Sequence, residues 1–458
     1  MKLGRAGGVE QSTHELLAAL ARLDRKNHYI LYCPRSTYYE LGLPSGFSHT
    51  VCFSDRWEVE RRRLCGTETR LPSSDVVHSL IGYIHPDLAD RTGVLTIADL
   101  QHLHYPSFFS PQDLATRENH YGSSARLARQ IICISEFTRH DVHQRLGVPQ
   151  EKLQTIGIIP GAHAQETLTA TQRERLLASL DIHGPYVFFP AHPWLHKNHD
   201  RLLQAWDKAR RQLPPGWTLV LTGKPFPPDH PATERLQAQI REGSTRHLGY
   251  RSPLEMQAVL QGCELLVFPS LFEGFGLPVA EAIIAGRPVA CSQCTSLPEI
   301  AGDAAAYFDP LSIEDMSRVL VDASTNPRLR DRLLLAAAAR RQRFDPLASA
   351  AATLGVYLRT AGVSNTDAAT IINAMKVEAA ARPPVARGLR LARACHHARA
   401  AETAALAGKI ITAAQQTALT FIHSPTMSWR RLILAWLCQL EIFVRRLPIS
   451  KRPAPANP

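Results

Sequence analysis

Short apolar runs alternate with amphipathic stretches from about residue 28 to about residue 345. This pattern predicts an α/β protein with mostly parallel sheets. In the first half, His28-Tyr-Ile-Leu-Tyr-Cys, Asp75-Val-Val-His-Ser-Leu, Val94-Leu-Thr-Ile-Ala and Ile131-Ile-Cys-Ile read as strands. Ser135 is placed to cap a following helix, and Gly147 to close it. The second half restarts with the strand Tyr186-Val-Phe-Phe. A helix from about Asn198 follows, with Leu202, Leu203 and Trp206 as its apolar stripe. The strand Thr218-Leu-Val-Leu-Thr, a helix near 232–242, the strand His247-Leu-Gly-Tyr, a helix near 253–261 and the strand Leu265-Leu-Val-Phe continue the alternation. Helices then run to about 342.

The run from Phe268 to Ala282 carries the most chemistry. It reads as the end of a strand, a loop with two glycines, and a helix. Pro278 suits the first helical position, and Gly286 the position after the helix end. The loop therefore opens onto a helix N-terminus, where free N–H groups and the macrodipole attract anions. Gly274 and Gly276 allow close backbone approach to a ligand. Glu281 is placed to accept two hydrogen bonds from a diol such as a ribose, and Glu273 to meet a second polyol.

Glu273-Gly-Phe-Gly-Leu-Pro-Val-Ala-Glu281 resembles the Glu-x7-Glu motif of retaining, GT-B fold glycosyltransferases of family 4. There the second Glu holds the nucleotide ribose and the first faces the transferred sugar. The resemblance covers roughly residues 7–361. It implies two Rossmann-like domains facing a cleft: an acceptor domain over 1–162 and a nucleotide-sugar donor domain over 163–345. A crossover helix over 346–362 would return to the first domain. A helical basic extension would occupy 363–458.

The same resemblance assigns further residues. Gly7 and Gly8, before an amphipathic helix, correspond to the glycine loop beside the donor phosphates. Asp99 and His102 follow a strand end, in the segment that approaches the transferred sugar. Relatives often have His-Asp there, where this chain has Ala98-Asp99. Lys197 matches the lysine that faces the diphosphate, and His192 stands where an arginine is common. Gly223 and Tyr250 line the nucleotide-base side, and Phe275 and Leu277 complete the Glu273–Glu281 loop. Glu299 lies in the loop beside the donor. The implied reaction is sugar transfer with retention, catalysed by Glu273, Lys197, Asp99 and His102, with no metal and no cofactor. GDP-mannose is the favoured donor and a UDP-sugar the next. The acceptor is a glycan or a lipid-linked glycan, and the setting surface polysaccharide synthesis. A GT-B nucleotide-sugar epimerase, a sugar phosphorylase and a non-catalytic scaffold stay open as alternatives.

Bulk properties add limits. At 458 residues and 45% apolar composition, the chain can fill two or three domains. Met1-Lys-Leu-Gly-Arg-Ala lacks the apolar core of a secretory signal and leaves little of a first strand before Gly7. No apolar run is long enough to span a bilayer. Cys291 and Cys294 make a lone C-x-x-C, so reduced thiols in the cytosol are the simpler reading. Residues 361–458 hold thirteen Lys and Arg against four Asp and Glu, which is +9 of the net +11. The basic character therefore sits in the tail, which argues against a nucleic-acid enzyme. Residues 429–446 are apolar with basic flanks, suited to lying on an anionic membrane surface. The expected location is the cytoplasm, with peripheral contact on the inner face of the cytoplasmic membrane.

Overall fold

The computed structural model describes residues 8–24, 26, 27, 29, 75–80, 82–84, 93–161, 164 and 167–380. Residues 1–7, Gly7 among them, most of the expected strand at 28–33 and residues 381–458 lie outside this set.

The described strands form two parallel sheets. In the first, β1 (Val77–Ser79), β2 (Gly93–Ile97), β3 (Gln130–Cys133) and β4 (Leu153–Thr155) lie side by side in chain order. The second contains β5 (Tyr186–Pro190), β6 (Thr218–Thr222), β7 (Thr245–His247), β8 (Leu265–Phe268), β9 (Val289–Ser292) and β10 (Ala305–Phe308). Its order is β10-β9-β8-β5-β6-β7. The strand order reverses between β5 and β8, which pair Val187 with Leu265 and Phe188 with Leu266. In open α/β sheets the loops leaving the strands on either side of such a reversal enclose a crevice. Here those are the loops after β5 and β8, which carry Lys197 and Glu273.

Burial explains why these runs become strands. All four residues of β8 are fully buried, as are Val187, Phe188 and Phe189 of β5. Helices cover both faces of a parallel sheet, so its central strands are apolar throughout. Trp206 and Leu202, from the helix His199–Ala209, pack on this core. One expected strand is displaced. His247-Leu-Gly-Tyr is not a strand; β7 ends at His247 and starts two residues earlier. Gly249 turns the chain at φ +70, and its carbonyl accepts from the Gly223 N–H at 3.0 Å.

Local signals act as their chemistry requires. The Ser135 side chain accepts from the Thr138 N–H at 3.0 Å, and Gly147 closes the helix Glu136–Leu146 at φ +65. Leu277–Ile284 is a helix capped by Gly276, so Pro278 takes its second position. At its end, Gly286 N–H bonds to the Ile283 carbonyl and Arg287 N–H to that of Ala282, a Schellman pair that uses up the last carbonyls.

The helix Pro346–Thr360 packs on the first sheet. Val356 is buried with Val94 and Ile132, while Ala350, Ala351 and Leu354 meet Ala19, Leu20 and Leu23 of the helix Gly8–Leu23. A further helix, Asn365–Ala380, falls in the stretch assigned to the extension, yet Met375 and Ala379 are buried in that same cluster. Ala368, Ile372, Met375 and Ala379 recur at helical spacing, which gives it an apolar stripe. No described helix is long and apolar enough to cross a membrane. Cys291 and Cys294 are free thiols.

Candidate active site

The loop after β8 is fixed from both sides. Leu271 N–H donates to the His196 carbonyl at 2.7 Å, which ties it to the loop after β5. Glu273 N–H donates to Thr295 Oγ1 at 3.2 Å, and Ser296 Oγ donates to the Glu273 carbonyl at 2.9 Å. The Glu273 side chain is thereby aimed at the loop after β5, where Lys197 Nζ donates to Glu273 Oε1 at 2.5 Å. Both side chains are 12% exposed. Lys197 Nζ also stands 5.0 Å from the centre of the Phe268 ring. At this burial the pair and the ring together offset much of the desolvation of the ammonium.

Asp99 reaches the same place from the end of β2. It is half-buried, and its Oδ1 accepts from the Gln101 N–H at 2.9 Å. Burial pushes its carboxyl above the ordinary range, opposed by the Gln101 N–H and Arg117. The nearby Glu273 charge pushes the same way as burial, and Lys197 the other. A Cβ on Gly274 would lie 3.1 Å from Asp99 Cβ. The structure therefore brings Asp99, Lys197, Glu273 and Gly274 together.

The remaining predicted residues divide. Glu281, buried at 9% exposure, faces the N-terminal helix: its Oε1 accepts from Gln11 Nε2 at 3.0 Å and from the Gly161 N–H at 3.4 Å. Gly8 lies against the first turn of the helix Leu277–Ile284, where an added Cβ would meet Leu277 Cδ1 at 2.6 Å. Gly276 takes a left-handed φ of +91, which a side chain would strain. Phe275 is buried against Gly157. His192 Nδ1 accepts from the Lys224 N–H at 3.1 Å. Burial, helped by Lys224 and Lys197, holds His192 below the usual imidazole range. Gly223, just after β6, lies beside it, where an added Cβ would be 3.2 Å from His192 Cα, and Tyr250, beyond the end of β7, is 69% exposed.

His102 is placed differently. It sits on a four-residue helix, Gln101–His104, that turns it inward. Its ring packs 5.1 Å from Tyr121 and edge-on to Phe109, and it is 2% exposed. Neither ring nitrogen finds a hydrogen-bond partner among the described residues. Burial, with Arg117 adding to it, pushes its pKa down to about 4. His102 is thus a neutral packed imidazole, and no described contact joins it to Glu273 or Lys197. His104, on the same helix, is the one that reaches the loop after β8. Its ring lies 4.8 Å from Phe272, and its Nε2 pairs with Asp141 at 2.8 Å. Arg145 holds the other Asp141 oxygen at 2.8 Å.

Glu299 links the two sides of the crevice. Its Oε2 accepts from the Phe137 N–H at 3.2 Å, and its Oε1 pairs with Arg343 at 3.0 Å. Gln11, Thr138 and His104 were missed in the sequence. Thr138 Oγ1 lies 3.2 Å from the Ala98 carbonyl and 3.4 Å from that of Gly274, so it spans both loops. Only Gln11 carried any hint, one turn beyond the glycine pair.

Two parallel sheets, a strand reversal, a Glu-x7-Glu loop on a helix N-terminus and a lysine from the neighbouring loop are now in place. Residues 178–340 match the family model described as glycosyl transferases group 1. This segment is a group 1 glycosyltransferase domain. The chain is 28% identical over 230 residues to O-antigen chain mannosyltransferase B of Escherichia coli, covering 49% of this chain and 59% of that protein. It is 27% identical over 210 residues to the MMP alpha-(1->4)-mannosyltransferase of Mycolicibacterium hassiacum, covering 44% and 48%. The chain thus spans about half the length of these relatives. The structure of Anabaena HepE, solved with UDP and glucose, superposes with a TM-score of 0.58 at 18% identity, covering 81% of this chain and 97% of that one. At that identity the likeness shows the fold, which is GT-B, and the glycosyltransferase domain described above supplies its second sheet.

Proposed function

We propose that this chain is a retaining glycosyltransferase that moves a hexose from a nucleoside diphosphate sugar to a glycan or lipid-linked acceptor in surface polysaccharide synthesis. The observation that carries this reading is the buried Lys197–Glu273 pair beside Asp99 at the strand reversal. Mannose, carried by GDP, is the favoured sugar, because both relatives named above are mannosyltransferases.

In this mechanism the diphosphate sits by Lys197 and the N-terminus of the helix Leu277–Ile284. Lys197 and the positive end of that helix stabilise the charge that builds on the leaving diphosphate. Glu273 holds a hydroxyl of the transferred sugar while sharing Lys197 with the diphosphate. Asp99 faces the sugar from the other side of the crevice. Glu281 holds the ribose. Lys197 and the helix take the role that a divalent ion has elsewhere, so the enzyme works without metal. Residues 429–446 place the protein on the inner face of an anionic membrane, where a lipid-linked acceptor would be found.

The test is nucleoside diphosphate release from a panel of GDP- and UDP-sugars, with Glu273→Ala alongside. Release from one donor, lost in the variant, supports the reading, and retention is then read from the anomeric configuration of the product. Absence of release from every donor, together with no thermal shift by GDP or UDP, would overturn it. EDTA should leave activity intact; loss restored by Mg²⁺ would remove the metal-free mechanism.

A further inference from the structure

Glu281 is engaged by the opposite side of the crevice. Its Oε1 receives both the Gln11 side-chain amide, at 3.0 Å, and the Gly161 N–H, at 3.4 Å. Gln11 stands on the helix Gly8–Leu23, which is not loose: Leu20 and Leu23 are 1% exposed and are packed on Ala350, Ala351 and Leu354. Gly8, at the start of that helix, already touches Leu277, four residues before Glu281. The amide is thus delivered to the carboxylate by a well-anchored element.

A carboxylate holds a vicinal diol by accepting one O–H on each oxygen. A ribose seated on Glu281 therefore needs Oε1, the atom that Gln11 occupies. Resting on the assignment of Glu281 to the ribose, we propose that Gln11 competes with the nucleotide ribose for Glu281 and so sets the affinity for the sugar donor. Binding breaks a charge-assisted hydrogen bond, and the apparent affinity falls by the fraction of molecules in which Gln11 has let go. The contact also makes the N-terminal helix responsive to the donor: a seated ribose releases Gln11, and an empty Glu281 draws it back.

The direction of the effect separates competition from a structural role. Gln11→Met keeps the length of the side chain and removes the amide. It should bind GDP or UDP, whichever the wild type prefers, about tenfold more tightly, the worth of one charge-assisted hydrogen bond no longer broken on binding. Gln11→Ala should do the same, and serves if the methionine packs badly. Isothermal titration of the full chain reads both. Unchanged or weaker nucleotide binding in two folded variants would overturn the competition. Glu281→Ala is the control on the underlying assignment: it should weaken nucleotide binding at least tenfold. Wild-type affinity in Glu281→Ala would show that the ribose sits elsewhere, and both the assignment and the competition would fall. Tight binding lost in Glu281→Ala but unmoved in the Gln11 variants would leave the assignment standing and remove only Gln11.

Discussion

Gly274 and Ala98 meet backbone to backbone across the crevice: a Cβ built on Gly274 would lie 2.0 Å from the Ala98 carbonyl oxygen. The contact leaves no room for a side chain, and the atom that would be struck is main chain, which cannot swing aside. Gly274→Ala should push the Glu273 loop away from Asp99. A shift of this size typically lowers turnover by about 10²-fold. Steady-state rates and the melting temperature of the variant check this. Full turnover would mean that the two loops separate before chemistry.

Glu273 and Lys197 should behave as one unit. Glu273→Ala and Lys197→Ala should each lower kcat/KM by about 10²-fold, the usual scale for losing one preorganised polar group. The double variant should be little worse than either, because each single change already breaks the pair. A double-mutant cycle on kcat/KM decides it; strictly multiplicative losses would show that the two side chains act separately.

Buried histidines tie stability to pH. The pKa of His102 is pushed down to about 4 and that of His196 to about 2, in both cases chiefly by burial. In the unfolded chain both bind a proton near the ordinary value of about 6.5. Below that pH the unfolded state takes up protons that the folded state refuses. The stability is therefore complete above about pH 6.5 and falls with pH, for His102 until about pH 4. His102→Phe keeps the ring packing against Tyr121 and removes the titration. Between about pH 6.5 and 4 it should flatten the stability curve by up to about 1.4 kcal/mol per pH unit. Urea denaturation at pH 7 and pH 5 measures the slope; equal slopes in the two proteins would contradict it.

Two truncations should differ. Ending the chain at Ala380 keeps the helix Asn365–Ala380, whose Met375 is 1% exposed. Ending it at Gly362 removes that helix and uncovers Leu20, Leu23 and Leu354. Losing the buried Met375 side chain costs about 2–5 kcal/mol, so the shorter form should melt several degrees lower. Calorimetry separates them. Co-sedimentation of the Ala380 form with anionic liposomes reports on residues 381–458: if they carry the membrane contact, it is lost.

The parts of the site that lie within one short stretch were legible in the sequence. Glu273, Gly274, Gly276 and Glu281 share a single strand-loop-helix corner, and its geometry follows from local chemistry. Lys197 was readable from its place between a strand and a helix. Contacts that join distant stretches were not. Nothing in one sequence pairs Gln11 with Glu281, His104 with Asp141 or Phe137 with Glu299. The burial of His102 against Tyr121 and Phe109 also depends on residues distant in the chain, so its position three residues after Asp99 did not reveal it. At β7 the apolar residues Leu248 and Tyr250 suggested a strand, but Gly249 bends the chain away. The polar run Thr245-Arg-His pairs instead, as an edge strand tolerates.

The helix Pro346–Thr360 has a consequence for how the protein is made. Ile132 and Val94, early in the chain, share their core with Val356. Ribosomes add about 5–20 residues per second, so the first sheet waits roughly ten to fifty seconds for the residue that completes it. The second sheet, whose strands end at Phe308, is synthesised in full during that interval. The half made second can thus be finished first, and the nascent first half keeps Val94 and Ile132 exposed to chaperones until the returning helix emerges.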